Sequence, residues 1–224
     1  MAANVSASRV ALADELGHRR LRGPDALYPP GSSDARGRWL ERNILLTRRV
    51  EGYDPTESLA IYASPIGAMQ VRPANCPPVL RRVTWQRKRD LAEAESQTHH
   101  ATPPLATELF EFPAGNAGES VVALVGALIA ALRSLPFPYD SPLPAALMRH
   151  TPQARIRYGV ICSTRFFDID VNWSEGDVQP VDSAWEGVWS ALEALCSPQR
   201  KLDGWGDGYD IPLELFHAAI RAST

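Results

Sequence analysis

The chain is short of the residues that make covalent staples and metal centres. Its 224 residues include three cysteines, Cys76, Cys162 and Cys196, far apart and never in a Cys-x-x-Cys pair. That spacing excludes a zinc ribbon or a thioredoxin-type centre and points to buried free thiols in a reducing compartment. No Gly-x-Ser-x-Gly elbow is present, so the nucleophile turn of an α/β-hydrolase is missing. Gly115, Gly118 and Gly126 precede or interrupt a helix without phosphate-loop spacing, so no nucleotide cofactor is expected. The longest apolar run, Val121 to Leu132, has 12 residues and contains Gly126, short of the ~20 that cross a bilayer. Met1 to Arg20 lacks the charged-then-apolar layout of a secretory signal. A basic excess is missing too: 23 Lys and Arg against 26 Asp and Glu give a net charge of −3, which argues against a dedicated nucleic-acid binder. The expectation is a soluble, cytoplasmic protein with no membrane attachment.

What is present is an ordinary globular composition, 45% hydrophobic and 22% charged, enough to bury a core without staples. Nineteen prolines break the chain into short elements. Residues 1–38 read as an N-terminal helix and arm that docks or flexes. Its helix is expected over Val5 to Leu21, stopped by Gly23-Pro24. Residues 39–224 read as the main domain. Strands are expected over Asn43 to Val50 and Leu59 to Ala63, with Ala68 to Arg72 continuing or pairing after Pro65. Leu80, Val83 and Trp85 suggest another strand and Arg87 to Glu95 a helix. Leu105 to Phe112 alternates, with Leu105, Thr107, Leu109 and Glu111 on one face and Ala106, Glu108, Phe110 and Phe112 on the other.

A strong helix is expected from about Glu119 to Ser134, capped by Asn116 or Ser120. Its Val, Leu and Ile residues surround nearly the whole circumference, which predicts a core helix. Arg155 to Trp173 carries the best β signal, with Phe167, Ile169, Val171 and Trp173 alternating against Asp168, Asp170 and Asn172. Asp182 or Ser183 caps a helix over Ala184 to Cys196, whose stripe is Trp185, Val188, Trp189, Leu192 and Leu195. Pro212 to Ala222 suggests a final short helix. With no regular βαβ alternation and no repeat, the order predicts an α+β fold: a mostly antiparallel sheet with packed helices in a single main domain.

Four groups of residues hold candidate chemistry. Asp168 and Asp170 share a strand face at a spacing of ~7 Å. They form a row that a metal-dependent hydrolase would use for a hard cation and that a solvent-facing strand would also carry. Asp203-Gly-Trp-Gly-Asp-Gly-Tyr-Asp210 fails the EF-hand spacing. Its Trp205, Asp207, Tyr209 and Asp210 suit a recognition loop in which aromatic anchors stand beside acids, or a plain surface loop. Arg81, Arg82, Arg87, Lys88 and Arg89, with Trp85 among them, form the only basic cluster, fit for single-stranded nucleic acid or for a solvated face. His99, His100 and His150 have no nucleophile at a usable spacing. No catalytic, metal or cofactor residues are therefore assigned.

Three segments, in order, resemble bacterial suppressor-of-fused-like domains. Ser58-Leu-Ala-Ile-Tyr-Ala-Ser-Pro-Ile-Gly-Ala-Met-Gln-Val71 is similar to the family's early strand running into a Ser/Gly/Met-rich stretch. Thr107-Glu-Leu-Phe-Glu-Phe-Pro113, followed by its helix, is similar to the strand before the family's core helix. Leu135-Pro-Phe-Pro138 and His150-Thr-Pro152 resemble the Leu-Pro and His-Thr-x-Pro segments. The likeness runs from about Ile44 to Pro152, roughly half the chain. It implies a non-enzymatic binding domain, often an immunity protein against a co-encoded toxin, and it carries over no catalytic residues. The expected role is a protein-binding inhibitor that occludes a toxin's active site, with Asp168, Asp170, Trp205, Asp207, Tyr209 and Asp210 meeting another protein. The alternatives are a metal-dependent hydrolase using Asp168 and Asp170, or a nucleic-acid-contacting or assembly protein using the basic cluster. The oligomeric state is left open.

Overall fold

Segments that alternate in sequence become strands of one seven-stranded sheet in which every pairing is antiparallel. The computed structural model describes residues 2–27, 40–50, 54–63, 77–96, 105–134, 156–163, 168–176 and 179–203. In chain order these form α1 (Ala2–Arg22), β1 (Ala26–Leu27), β2 (Leu40–Val50), β3 (Thr56–Ala63), β4 (Val79–Trp85), α2 (Arg87–Ser96) and β5 (Ala106–Glu111). They continue with α3 (Asn116–Arg133), β6 (Ile156–Ser163), β7 (Asp168–Ser174), α4 (Gln179–Leu195) and a short 3-10 turn, Pro198–Arg200. The strand order is β5-β4-β3-β2-β6-β7, with β1 beside β2. The α+β architecture expected from the sequence is the one observed.

The period of two sorts each strand between two cores. Ile44, Leu46, Leu59, Ile61, Leu80, Phe110, Tyr158, Val160, Cys162 and Ile169 face α3 and α4. Their neighbours Leu45, Ala60, Tyr62, Val79 and Leu109 form a second cluster on the other side, where Val83 and Trp85 meet Leu21 of α1. The central strands are thus apolar on both faces, as strands covered on both sides must be.

α4 is held by aromatic contacts. Trp185 and Trp189 stack with centroids 4.9 Å apart, and Tyr158 lies 4.5 Å from Trp185. The Trp185 indole N–H donates to the Gly159 carbonyl at 3.2 Å. The helix starts earlier than its sequence signals suggest, at Gln179, because Asp182 acts from within the first turn rather than ahead of it. Its carboxylate accepts from Trp173 Nε1 at 2.6 Å and from the Gly176 N–H at 2.8 Å.

α1 docks, and its C-terminus explains how. The last carbonyls of a helix lack intrahelical donors, and here the sheet supplies them. Arg81 Nη2 donates to the Arg20 carbonyl at 3.2 Å, and Ser58 Oγ donates to that of Leu21 at 2.7 Å. Arg42 Nη1 donates to the Arg22 carbonyl at 2.8 Å, and Tyr62 Oη donates to that of Pro24 at 2.7 Å. Two guanidinium groups at the negative end of the helix dipole add to the fit. Gly23, at φ +74°, ends the helix in the left-handed conformation that glycine adopts without strain.

α3 departs from expectation. Gly115 is its N-cap and makes no side-chain capping bond, so neither Asn116 nor Ser120 caps it; the Ser120 hydroxyl donates to the Asn116 carbonyl instead. Only one side is buried, through Gly118, Val121, Leu128 and Leu132. Val122 is 61% exposed and Leu124 39%. Apolar residues all round a helix predict burial all round, but a helix lying on a sheet has protein on one side only. By length and composition α3 is also apolar enough to cross a bilayer.

Candidate protein-binding edge

β7 is an edge strand: among the described residues only β6 pairs with it. Its alternation sends Ile169, Val171 and Trp173 toward α4, and so Asp170 and Asn172 to the opposite face. Asp170 stands at the end of a lateral row, reached from Arg81 through Ala60, Leu45 and Ile161 by strand register. Asp168 pairs with Ser163 in the same register, with only its backbone described. One strand inward, Gly159 leaves room for Thr47 and Asn172 to lean over it, where a methyl group would collide with both side chains.

The Asp170 carboxylate has a resident partner. Arg22, the last residue of α1, places Nη1 3.6 Å from Oδ2, with the two side chains 52% and 53% exposed. Nothing in the local sequence links the two residues; the carbonyl clamps on α1 bring them together. An ion pair this open to water contributes about 0–1 kcal/mol, so another cation displaces Arg22 at small cost.

From Asp168 to Cys196 the chain holds seven acids and no Lys, Arg or His. They divide by task. Asp182 ties Trp173 and Gly176 together. Glu186 accepts from the Tyr158 hydroxyl at 2.8 Å, and burial followed by this bond pushes that phenol's pKa well above its ordinary value. Glu193 lies 3.9 Å from Arg82, which donates to Glu57 at 2.9 Å. Asp170 and Glu175 are exposed. This single-sign run is legible in the sequence as an absence of basic residues, and reading Asp168 and Asp170 alone misses it.

The basic cluster does not form a surface. Arg81 and Arg82 point to opposite faces of β4, Arg81 buried against the end of α1 and Arg82 beside Glu57. Arg87 donates twice to Asp14, at 2.7 Å each, and Arg89 donates to the buried Asp90 carboxylate at 3.0 Å. Trp85 is fully buried, so no base can stack on it. Arg81 and Arg82 part because neighbouring strand residues face opposite ways, and Arg87, Lys88 and Arg89 belong to α2.

A second cluster escaped sequence reading. His18 of α1 sits edge-on to Trp85 at 5.3 Å and 3.5 Å from Asp14. Burial lowers the His18 pKa; Asp14 opposes this, and the charges of Arg87, Arg49 and Arg22 reinforce it. Burial alone would raise the Asp14 carboxyl, but Arg87 overcomes that and holds it below the ordinary carboxylate range. The i, i+4 spacing of Asp14 and His18 was the available signal.

No group of three or more His, Cys, Asp or Glu able to hold a metal occurs among the described residues. Any cation at Asp170 would meet Arg22 first. Cys162 is buried, and burial pushes the Cys196 thiol up to about 11, which keeps it protonated at neutral pH. Trp205, Asp207, Tyr209 and Asp210 lie outside the described residues, as do Cys76, His99, His100 and His150. Comparison with protein families, with curated proteins and with solved structures gives no match.

Proposed function

We propose that this chain is a protein-binding, non-catalytic inhibitor of the immunity type, which occludes the basic active-site cleft of a toxin with the β7 edge that carries Asp170 and Glu175. One observation carries the reading: an edge strand, free to accept a partner along its outer side among the described residues, belongs to a segment with seven acids and no basic residue. An unpaired strand edge offers main-chain hydrogen bonds. A single-sign field speeds encounter with an oppositely charged partner. Arg22 fits as a placeholder on Asp170; a partner's Lys or Arg replaces it by exchanging one ion pair for another.

Growth of cells that express the adjacent gene's product tests the proposal. The native chain is expected to protect them, and an Asp170→Arg/Glu175→Arg chain of unchanged melting temperature is expected not to. Killing that the native chain leaves undiminished removes the reading.

A further inference from the structure

Helix α3 has an apolar side that the described fold leaves open. Glu119, Val122, Ala123, Gly126, Ala130 and Arg133 are all exposed, and their spacing puts them on one face. The opposite side, through Val121, Leu128 and Leu132, is fixed in the core beneath it. An apolar strip of this kind marks an interaction surface, and two features identify its occupant.

The first is charge complementarity of the strip with itself. Glu119 and Arg133 stand at equal sequence distance on either side of Gly126, one in the first turn and one in the last. When two copies of α3 lie antiparallel with a two-fold axis at Gly126, Glu119 of each meets Arg133 of the other. Val122 then meets Ala130. The self-complementarity is that of an isologous interface.

The second is Gly126. A mid-helix glycine costs about 1 kcal/mol relative to alanine, yet among the described residues nothing makes use of it. A methyl group there touches nothing within 4 Å, and the residue is not among the glycines of positive φ. Gly17 and Gly118 differ, since each abuts another part of the fold. At a crossing point, a glycine lets two helix backbones approach more closely than the usual ~8–10 Å.

We infer that α3 is the interface of a homodimer in which two copies pack antiparallel and cross at Gly126. The inference is independent of the reading of β7, whose acids repel a second acidic edge. An 18-residue helix is ~27 Å long and ~10 Å wide, a footprint small beside the ~800 Å² per partner of a standard interface, so the dimer forms with rising concentration rather than obligately.

Light scattering and sedimentation equilibrium of the full chain, from low to high micromolar concentration, test it. The mass is expected to pass from one chain to two. Glu119→Arg or Arg133→Glu alone is expected to weaken the dimer by about tenfold or more, and the double reversal to restore it. Only a strip pairing antiparallel with its own copy behaves this way. Gly126→Cys, lying on the axis, is expected to cross-link into a covalent dimer under mild oxidation, above the level of the native chain. Gly126→Leu is expected to abolish the dimer without lowering the melting temperature. A mass of one chain at every concentration overturns the inference, whether lipid or another part of the chain covers the strip. A double reversal that fails to restore pairing overturns it equally.

Discussion

Gly17 of α1 and the indole of Trp85 in β4 pack with no room for a methyl group between them; a Cβ built on Gly17 would overlap the ring. Trp85 is fully buried and cannot move aside. This contact, together with the carbonyl clamps at the end of α1, turns the N-terminal helix from an arm into part of the fold. It also sets the position from which Arg22 reaches Asp170.

Gly17→Val therefore lifts α1 from the sheet. Overpacking of this kind costs about 1–3 kcal/mol, and the β-branched side chain adds no helix preference to offset it. Hydrogen exchange should show faster exchange of α1 amides while β2 and β6 remain protected. Unchanged protection in α1 would mean that the helix is held elsewhere.

Acid weakens the same docking in two stages. The His18 pKa is lowered in the fold, so the unfolded chain binds its proton more readily. Stability then falls as pH drops below the ordinary value of about 6.5 and levels off below the folded value. The Asp14 carboxyl is also lowered; its contribution is full above the ordinary value of about 3.9 and is lost as pH falls through the folded one. His18→Gln should abolish the first loss and keep the second, as read from melting temperature against pH. A native profile that is flat between neutral pH and pH 5, or an unaltered profile in the variant, contradicts this assignment.

Asp182→Ala removes the acceptor shared by Trp173 Nε1 and the Gly176 N–H. Two charge-assisted bonds at the join of β7 and α4 are lost, at a cost of about 1–3 kcal/mol. The urea midpoint should fall and Trp173 fluorescence shift toward that of a hydrated indole. A midpoint within error of the native chain would show that water replaces the carboxylate without loss.

Arg22→Ala separates stability from binding. The Arg22–Asp170 pair is open to solvent, so the melting temperature should reflect a change within about 0.5 kcal/mol. Affinity for a basic partner should rise, because Asp170 no longer has an internal counter-ion. Weaker binding by Arg22→Ala would place Arg22 in the interface itself.

Much of this fold is written in local periodicity. The alternation of Leu105 to Phe112 and of Ile169 to Trp173 reads directly as strands whose faces are those observed. The stripe Trp185, Val188, Trp189 and Leu192 reads as the buried side of α4. Local pattern fails where the other half of a contact is distant in the chain. Val122 and Leu124 look as apolar as Val121 and Leu128, and only the position of α3 on the sheet decides which are covered. The pair of Arg22 and Asp170 is set by packing and has no signature in spacing. Arg81 and Arg82 look like one basic patch until strand alternation is applied to them. The acidic stretch after Asp168 was legible throughout, as a long run without a cation.

Co-purification of the native chain with the product of the adjacent gene, compared with an Asp170→Arg/Glu175→Arg chain, reads the central claim most directly. A stable complex is predicted for the native chain, its association slowed by added salt, and little or none for the folded variant. A complex that survives charge reversal unchanged, or the absence of any complex with the native chain, would contradict an acidic β7 edge as the binding surface.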